Sequence, residues 1–349
     1  MPVAVRRAPR SPIAGLALAL AAAVLACTPA CAQTAVRFSL DWRFEGPAAP
    51  FTVALDKGYF KAEGLDVTIE PAAGSREPVT RVGTGAYDMG FGDINSLVRF
   101  RDENPAAGAK AVMILHDRPA FAIVGRRSRG ITPELESLKR RRLGAPSADA
   151  AYAQWPVLKA LNKIDEKEWA IRVDTVGFPV REPLLAQGEV DAVFGYAMTS
   201  FINLKSRGVP ADDIVVIPMS EHGLELYGNA VLVSQKFAAE KPEAVRGFLR
   251  ALAKGLRDTI ADPGAAIDTV LKRNELARKE VELERLAMAI EQNIVTPWVR
   301  ENGFGGIDRS RFERALEQIG LALPYKNKPK PEDIFDDQFL PPPAERKVD

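Results

Sequence analysis

Short apolar runs recur along the chain with polar, helix-forming stretches between them, a spacing that predicts alternating strands and helices. The first block, residues 36–95, reads VRFSLDWRFEGPAAPFTVALDKGYFKAEGLDVTIEPAAGSREPVTRVGTGAYDMGFGDIN. VRFSL, LDVTIE and YDMGF are its strands, and two segments of helical character separate them. That order marks a parallel sheet with crossover helices. A helix over Ile94 to Glu103 follows, then strands at Ala111 to Leu115 and Ala120 to Gly125.

A second block repeats the alternation without repeating the sequence. Thr132 as cap and Pro133 at the first helical position open a predicted helix. RRLGAP is then a strand, Ala151 to Asn162 a helix, Ala170 to Val176 a strand and Val180 to Gln187 a helix. Asp191 to Ala197 is a strand, Thr199 to Arg207 a helix and Ile214 to Pro218 a strand. YGNAVLVS, Tyr227 to Ser234, returns as a strand to the first block. Beyond it the pattern turns helical, over Lys241 to Ile260, Pro263 to Lys272, Arg278 to Ile294 and Asp308 to Ile319. The proline- and charge-rich stretch from Pro324 reads as an extended strap with a frayed end.

These elements predict an α/β fold of two doubly wound lobes joined by two crossing strands, with a helical C-terminal part. Residues 33–124 and 222–324 form lobe 1, 125–221 lobe 2 and 325–349 the strap. A length of 349 residues suits two lobes better than one core. A net charge of +1 leaves no basic stripe for nucleic acid. The local runs RRSR (Arg126 to Arg129) and KRRR (Lys139 to Arg142) read as solvated turns, diluted by Glu134 and Glu136. Arginines 6, 7 and 10, the apolar run IAGLALALAAAVLA and the small residues before Gln33 make residues 1–32 a signal peptide. The two cysteines, Cys27 and Cys31, both fall inside it, so cleavage leaves a mature chain with no thiol. A lipidated Cys27 is the competing reading, which the leucine directly before Ala26 fits poorly. Either reading places the mature chain outside the cytoplasmic membrane, in the periplasm.

The loops after the first three strands, DWRFEGPAA, PAAGSRE and GDINS, converge at the carboxyl ends of the sheet, where open parallel sheets bind ligands. Asp41 is placed to accept hydrogen bonds from an amine or amidine, Trp42 to stack on a planar ring, and Glu45 to meet a cation. Gly74 and Ser75 precede a helix and offer N–H groups and a hydroxyl, and Asp93 follows the third strand. From lobe 2 come Ser147, Asp149, Phe178 and Tyr196, and Asn229 stands beside the second crossing. Each has a structural alternative: Trp42 packs, Asp41 caps a turn, and Ser75 and Asp93 are helix caps. His116 and His222 have no metal-ligand spacing. No nucleophile triad, phosphate loop, zincin helix or dinucleotide motif is present. The expectation is a non-catalytic chain without cofactor or metal.

DWRFEGPAAPFTVALDKGYFKAEGLDVTI resembles the start of the periplasmic solute-binding proteins of ABC importers, in the branch that takes thiamine pyrimidine precursors, alkylsulfonates and taurine. GTGAYDMGFGDINSL, LESLKRRRLGAP, AAYAQWPVLKALNKI and GEVDAVFGY resemble successive units of that branch. The resemblance implies a type II-like periplasmic binding fold that closes over a small solute and docks, as a monomer, on a membrane permease. The Asp41-Trp42 pair is more similar to pyrimidine-binding members than to sulfonate-binding ones. A planar heterocycle such as a thiamine pyrimidine precursor is therefore the expected ligand, with an alkylsulfonate, taurine or other small organic anion as the alternative. Some relatives in the pyrimidine branch are synthases that use their own histidine and a cysteine-rich motif. The mature chain has no such motif.

Overall fold

The computed structural model describes residues 33–348, together with Met1, Val3 and Ala4. Apart from those three positions, the predicted signal peptide, Cys27 included, lies outside the described residues.

Ten strands form two sheets. They are β1 (Thr34–Ser39), β2 (Leu65–Glu70), β3 (Met89–Asp93), β4 (Lys110–Ile114), β5 (Phe121–Arg126), β6 (Arg142–Ala145), β7 (Arg172–Thr175), β8 (Ala192–Tyr196), β9 (Ile214–Pro218) and β10 (Asn229–Val233). The sheet orders are β2-β1-β3-β10-β4 and β7-β6-β8-β5-β9. Each sheet pairs its early strands in parallel and holds one antiparallel strand, β10 in the first and β5 in the second. That odd strand is in both cases the first one reached after the chain crosses from the other sheet. With the antiparallel strand left out of the count, each sheet has the same order, second-first-third-fourth, and in both the antiparallel strand lies between the third and the fourth. The two crossings are tied together: His116 N–H donates to the Asn229 carbonyl (3.0 Å) and Gly228 N–H to the His116 carbonyl (2.9 Å).

Why β1 lies inside the sheet, between β2 and β3, follows from its sequence. Val36 and Phe38 alternate inward and are fully buried, with Phe38 opposite Ile69 on β2 and Met89 on β3. Phe38 also stacks at 5.0 Å on Phe51, from helix Ala49–Asp56, and at 5.0 Å on Phe248, from helix Pro242–Ala261. Phe60 meets Phe248 at 4.7 Å. One aromatic cluster thus joins the first strand of lobe 1 to a helix some two hundred residues later. Phe248→Ala opens a void in that cluster and is expected to cost about 3–5 kcal/mol of stability, read as a lowered urea midpoint. An unchanged midpoint would show that the cluster collapses around the gap.

Three expectations are corrected. No α-helix follows Thr132 and Pro133; one 3-10 turn, Leu135–Leu138, forms instead. Only Leu135 and Leu138 of this stretch pack inward, and Arg140 takes a left-handed φ of 62°, so two apolar anchors and a charged run end the helix after one turn. The strap is not frayed. Ile334 and Phe339 are buried, Phe335 bridges Ala111 of β4, and the Arg346 guanidinium and carbonyl both bond the backbone of Phe304. The long helix ending at Ile294 stops at Ala289 and closes in a π-helical turn, Ile290–Ile294. Both basic runs are engaged within the fold: Arg126 pairs with Asp213, Arg142 with Asp174, and Lys139 lies over Trp169. Among the described residues no helix is long and apolar enough to cross a membrane.

Candidate functional site

Strand ends from both lobes face one another across a cleft. From lobe 1 it is lined by Asp41, Trp42, Arg43 and Glu45 after β1 and by Gly74 and Ser75 after β2. Lobe 2 contributes Asp149 after β6, Phe178 and Arg181 after β7, and Tyr196, Met198 and Thr199 at the end of β8. His116 lines it from the first crossing. Ser75 is set at this wall by β3: a Cβ on Gly92 would fall 2.9 Å from the Ser75 carbonyl, so the glycine lets the helix start approach the strand. Gly74 has a φ of 125°, open to glycine alone.

A chain of hydrogen bonds spans the cleft. Asn229 Nδ2 donates to Asp41 Oδ2 (2.7 Å), Tyr196 Oη donates to Asn229 Oδ1 (2.8 Å), and Ser75 Oγ lies 2.9 Å from Tyr196 Oη. Trp42 and Phe178 meet at 5.2 Å, one ring from each side. The lobes are therefore in contact, and the cleft between them holds about 60 Å³.

The electrostatics are those of enclosed acids. Burial pushes Asp41 up to about 7, against the lowering hydrogen bonds of Asn229 and Ser75. Burial also raises Glu45, with Arg285 opposing, and Asp149, with Arg181 opposing. Tyr196 is pushed well above its ordinary value by burial and by the acids Asp93 and Asp41. His116 falls to about 4 because burial disfavours its cation, and its Nδ1 has no hydrogen-bond partner. Arg181 is the lobe 2 cation of the cleft and it is engaged. Its guanidinium bonds Asp149 (2.8 Å), Glu182 (2.8 Å) and the Phe194 carbonyl (3.0 Å). Burial opposes its charge, but Glu182 and Asp149 outweigh that and its pKa is raised.

Eight of the residues singled out in the sequence line this cleft: Asp41, Trp42, Glu45, Gly74, Ser75, Asp149, Phe178 and Tyr196. Three do not. Asp93 is a helix cap whose oxygens accept from the N–H groups of Asn95 and Ser96 and from their side chains. Ser147 faces a different interlobe cavity. Asn229 is fully buried behind the wall, where it orients Asp41 and Tyr196. Tyr227, just before β10, turns away from the cleft: its hydroxyl accepts from Asp308 N–H and Arg311 lies over its ring at 3.9 Å. The sequence reading gave no cleft role to Arg43 or His116. The position of His116, two residues beyond the end of β4 and at the first crossing, was the available signal. Among the described residues no group of three His, Cys, Asp or Glu side chains is placed to hold a metal.

Two sheets of identical order, a paired double crossing and a site at facing strand ends define the two-lobed binding-protein fold. The alkanesulfonate-binding protein SsuA of Xanthomonas axonopodis pv. citri, solved with bound MOPS, shares it with a TM-score of 0.63 at 16% identity, over 85% of this chain and 95% of that one. The chain belongs to the NMT1/THI5-like family, whose sequence pattern matches residues 47–266. It is 25% identical to the riboflavin-binding protein RibY of Chloroflexus aurantiacus, over 84% of this chain and 82% of that protein. It is 24% identical to the formylaminopyrimidine-binding protein of Halalkalibacterium halodurans, over 81% and 84%. It is also 25% identical to 4-amino-5-hydroxymethyl-2-methylpyrimidine phosphate synthase of Aspergillus parasiticus, over 67% and 69%.

Proposed function

We propose that this chain is an exported, non-catalytic receptor that closes over a planar, nitrogen-bearing heterocycle and hands it to an ABC-type permease. One observation carries the ligand class. Apart from Arg43 and His116, the polar groups offered to the cleft are mainly carboxylates and hydroxyls, Asp41, Glu45, Ser75 and Tyr196 among them, while Arg181 is engaged by Asp149 and Glu182. Such a lining accepts hydrogen bonds and suits ligand N–H groups. Trp42 and Phe178 meet from opposite lobes, and on parting they offer aromatic surfaces to a planar ligand. A ligand held by both lobes favours the closed arrangement, as transport receptors require. Relatives named for formylaminopyrimidine and riboflavin are in keeping with this class.

A second reading, a receptor for a sulfonate or other small anion, has one observation in its favour. Arg43 lines the cleft, lies over Trp42 at 5.4 Å, and makes no ion pair among the described residues. A thermal-shift panel of formylaminopyrimidine, riboflavin, taurine and alkanesulfonates separates the two. The expected result is stabilisation by a heterocycle, by about 3 kcal/mol at a hundredfold excess over Kd. Stabilisation by sulfonates alone would sink the heterocycle reading. Conversion of a binding compound by the isolated protein would refute the receptor reading in favour of a synthase.

A further inference from the structure

A second cavity, of about 500 Å³, lies between the same two lobes. Its lobe 1 wall is made by helices Arg76–Gly83 and Ile94–Glu103, and its lobe 2 wall by Ser147 and helices Ala150–Ala153 and Trp155–Asn162. It shares no lining residue with the first cleft. A seam of contacts between the lobes stands near both. At that seam the Gly74 position lies 3.5 Å from the Phe178 ring and 3.6 Å from the Ala148 carbonyl, measured from an added Cβ, and Ser75 bonds Tyr196. Larger side chains at position 74 would hold the lobes apart there, so the seam depends on the glycine.

The walls of this cavity have the opposite character to the first. Arg76 and Arg99 both line it, and neither guanidinium donates a hydrogen bond or joins an ion pair among the described residues. Lys159 is the third cation and pairs with Glu166 at 3.1 Å. The other acid, Glu103, is exposed. Aromatic residues line it as well: Phe100 from lobe 1, Tyr152 and Trp155 from lobe 2. Trp155 is fixed in place, its Nε1 donating to Glu166 Oε1 at 2.6 Å and its ring packed against Phe194 at 5.4 Å.

We infer that this cavity is a second binding site, for a small organic anion with an aromatic body. Guanidinium groups match the planar, two-oxygen geometry of a carboxylate, and the aromatic walls take the apolar part of the ligand. Because Arg76 and Arg99 belong to lobe 1 and Tyr152 and Trp155 to lobe 2, an occupant touches both lobes. It therefore favours their closed arrangement whether or not the first cleft is filled. The inference does not depend on which solute the first cleft takes.

Benzoate is the probe, titrated calorimetrically into the full-length mature protein, with inorganic phosphate as the non-aromatic arm. Saturable benzoate binding is expected, weakened at least tenfold in Arg76→Ala/Arg99→Ala and by much less in Trp42→Ala. Both arginines are at least partly exposed, and circular dichroism checks that the double variant is folded. Absence of saturable benzoate binding to the wild-type protein would overturn the inference. So would a loss in Trp42→Ala with none in the double arginine variant, which would place the anion in the first cleft. Phosphate binding as tightly as benzoate, with the same arginine dependence, would overturn the aromatic part and leave an anion site.

Discussion

Asp41→Ala is expected to weaken binding of the heterocyclic ligand by about two to three orders of magnitude, equivalent to ~3–4 kcal/mol. Asp41 lies just after β1, which pairs in parallel with β2 and β3, and Asn229 and Ser75 hold its carboxylate in one orientation. A ligand N–H aimed at that carboxylate forms a charge-assisted bond inside an enclosed site, and truncation leaves the ligand group without a partner. The pH dependence distinguishes this role from a structural one. With Asp41 at about 7 in the ligand-free protein, a donor ligand prefers the ionised form and lowers that value on binding. Affinity then rises between pH 6 and pH 8 and levels off above. An anionic ligand reverses the sign and binds more tightly at pH 6. Stability of the ligand-free protein moves the other way from ligand affinity. An acid whose pKa is raised on folding contributes most stability below its ordinary value near 4, and that contribution is lost as pH rises toward 7. Asp41→Asn removes the slope, so in urea the variant is expected to match or exceed the wild type at pH 8. A flat affinity profile in the wild-type protein would mean that Asp41 does not face the ligand.

How far the sequence could be read varies with how local each cause is. Short apolar runs such as LDVTIE and DAVFGYA became β2 and, trimmed by one residue at each end, β8, because alternation in the first and a continuous apolar run in the second are signals that act over a few residues. The boundary at Tyr196 shows the limit. The helix predicted from Thr199 begins at Ala197, with Tyr196 as its cap residue, so the tyrosine ends the strand and is released toward the cleft. Asp93 and Asp149 look alike in sequence, each an acid between a strand and a helix. Both cap their helices, yet only Asp149 also meets Arg181. That difference depends on a residue 32 positions away and is invisible to local pattern. The same holds for Asn229, which reaches Asp41 across 188 positions. At Thr132 the cap signal was present but had too few apolar residues behind it, and packing overrode propensity. The strap was misjudged for the opposite reason. Its composition is that of a loose tail, but Ile334, Phe335 and Phe339 are spaced to dock one by one on lobe 1.

The second large effect belongs to Arg181, whose replacement by alanine is expected to cost about 3–5 kcal/mol of stability at pH 7. Its side chain is 4% exposed, and the partners it would abandon, Asp149 and Glu182, are 5% and 4% exposed. Removing the cation leaves two buried acids near each other without compensation. Glu182 keeps only Ser200 Oγ at 2.9 Å, and Asp149 keeps the N–H groups of Ala151 and Tyr152. Protonation is the remaining relief. Burial already raises Asp149 while Arg181 opposes it, and loss of the guanidinium raises it further. The folded variant then binds protons that the unfolded chain releases, so its deficit shrinks as pH falls from 7 toward 5. Adding Asp149→Asn and Glu182→Gln to Arg181→Ala is expected to restore part of the loss at pH 7, because the uncompensated charges are gone. A triple variant as unstable as the single one would assign the effect to packing of the arginine stem. A single variant that loses less than about 1 kcal/mol would mean that the acids relax into solvent. Arg181 would then be free to meet an oxyanion in the cleft, and the ligand class would have to be argued again from a cation at its centre.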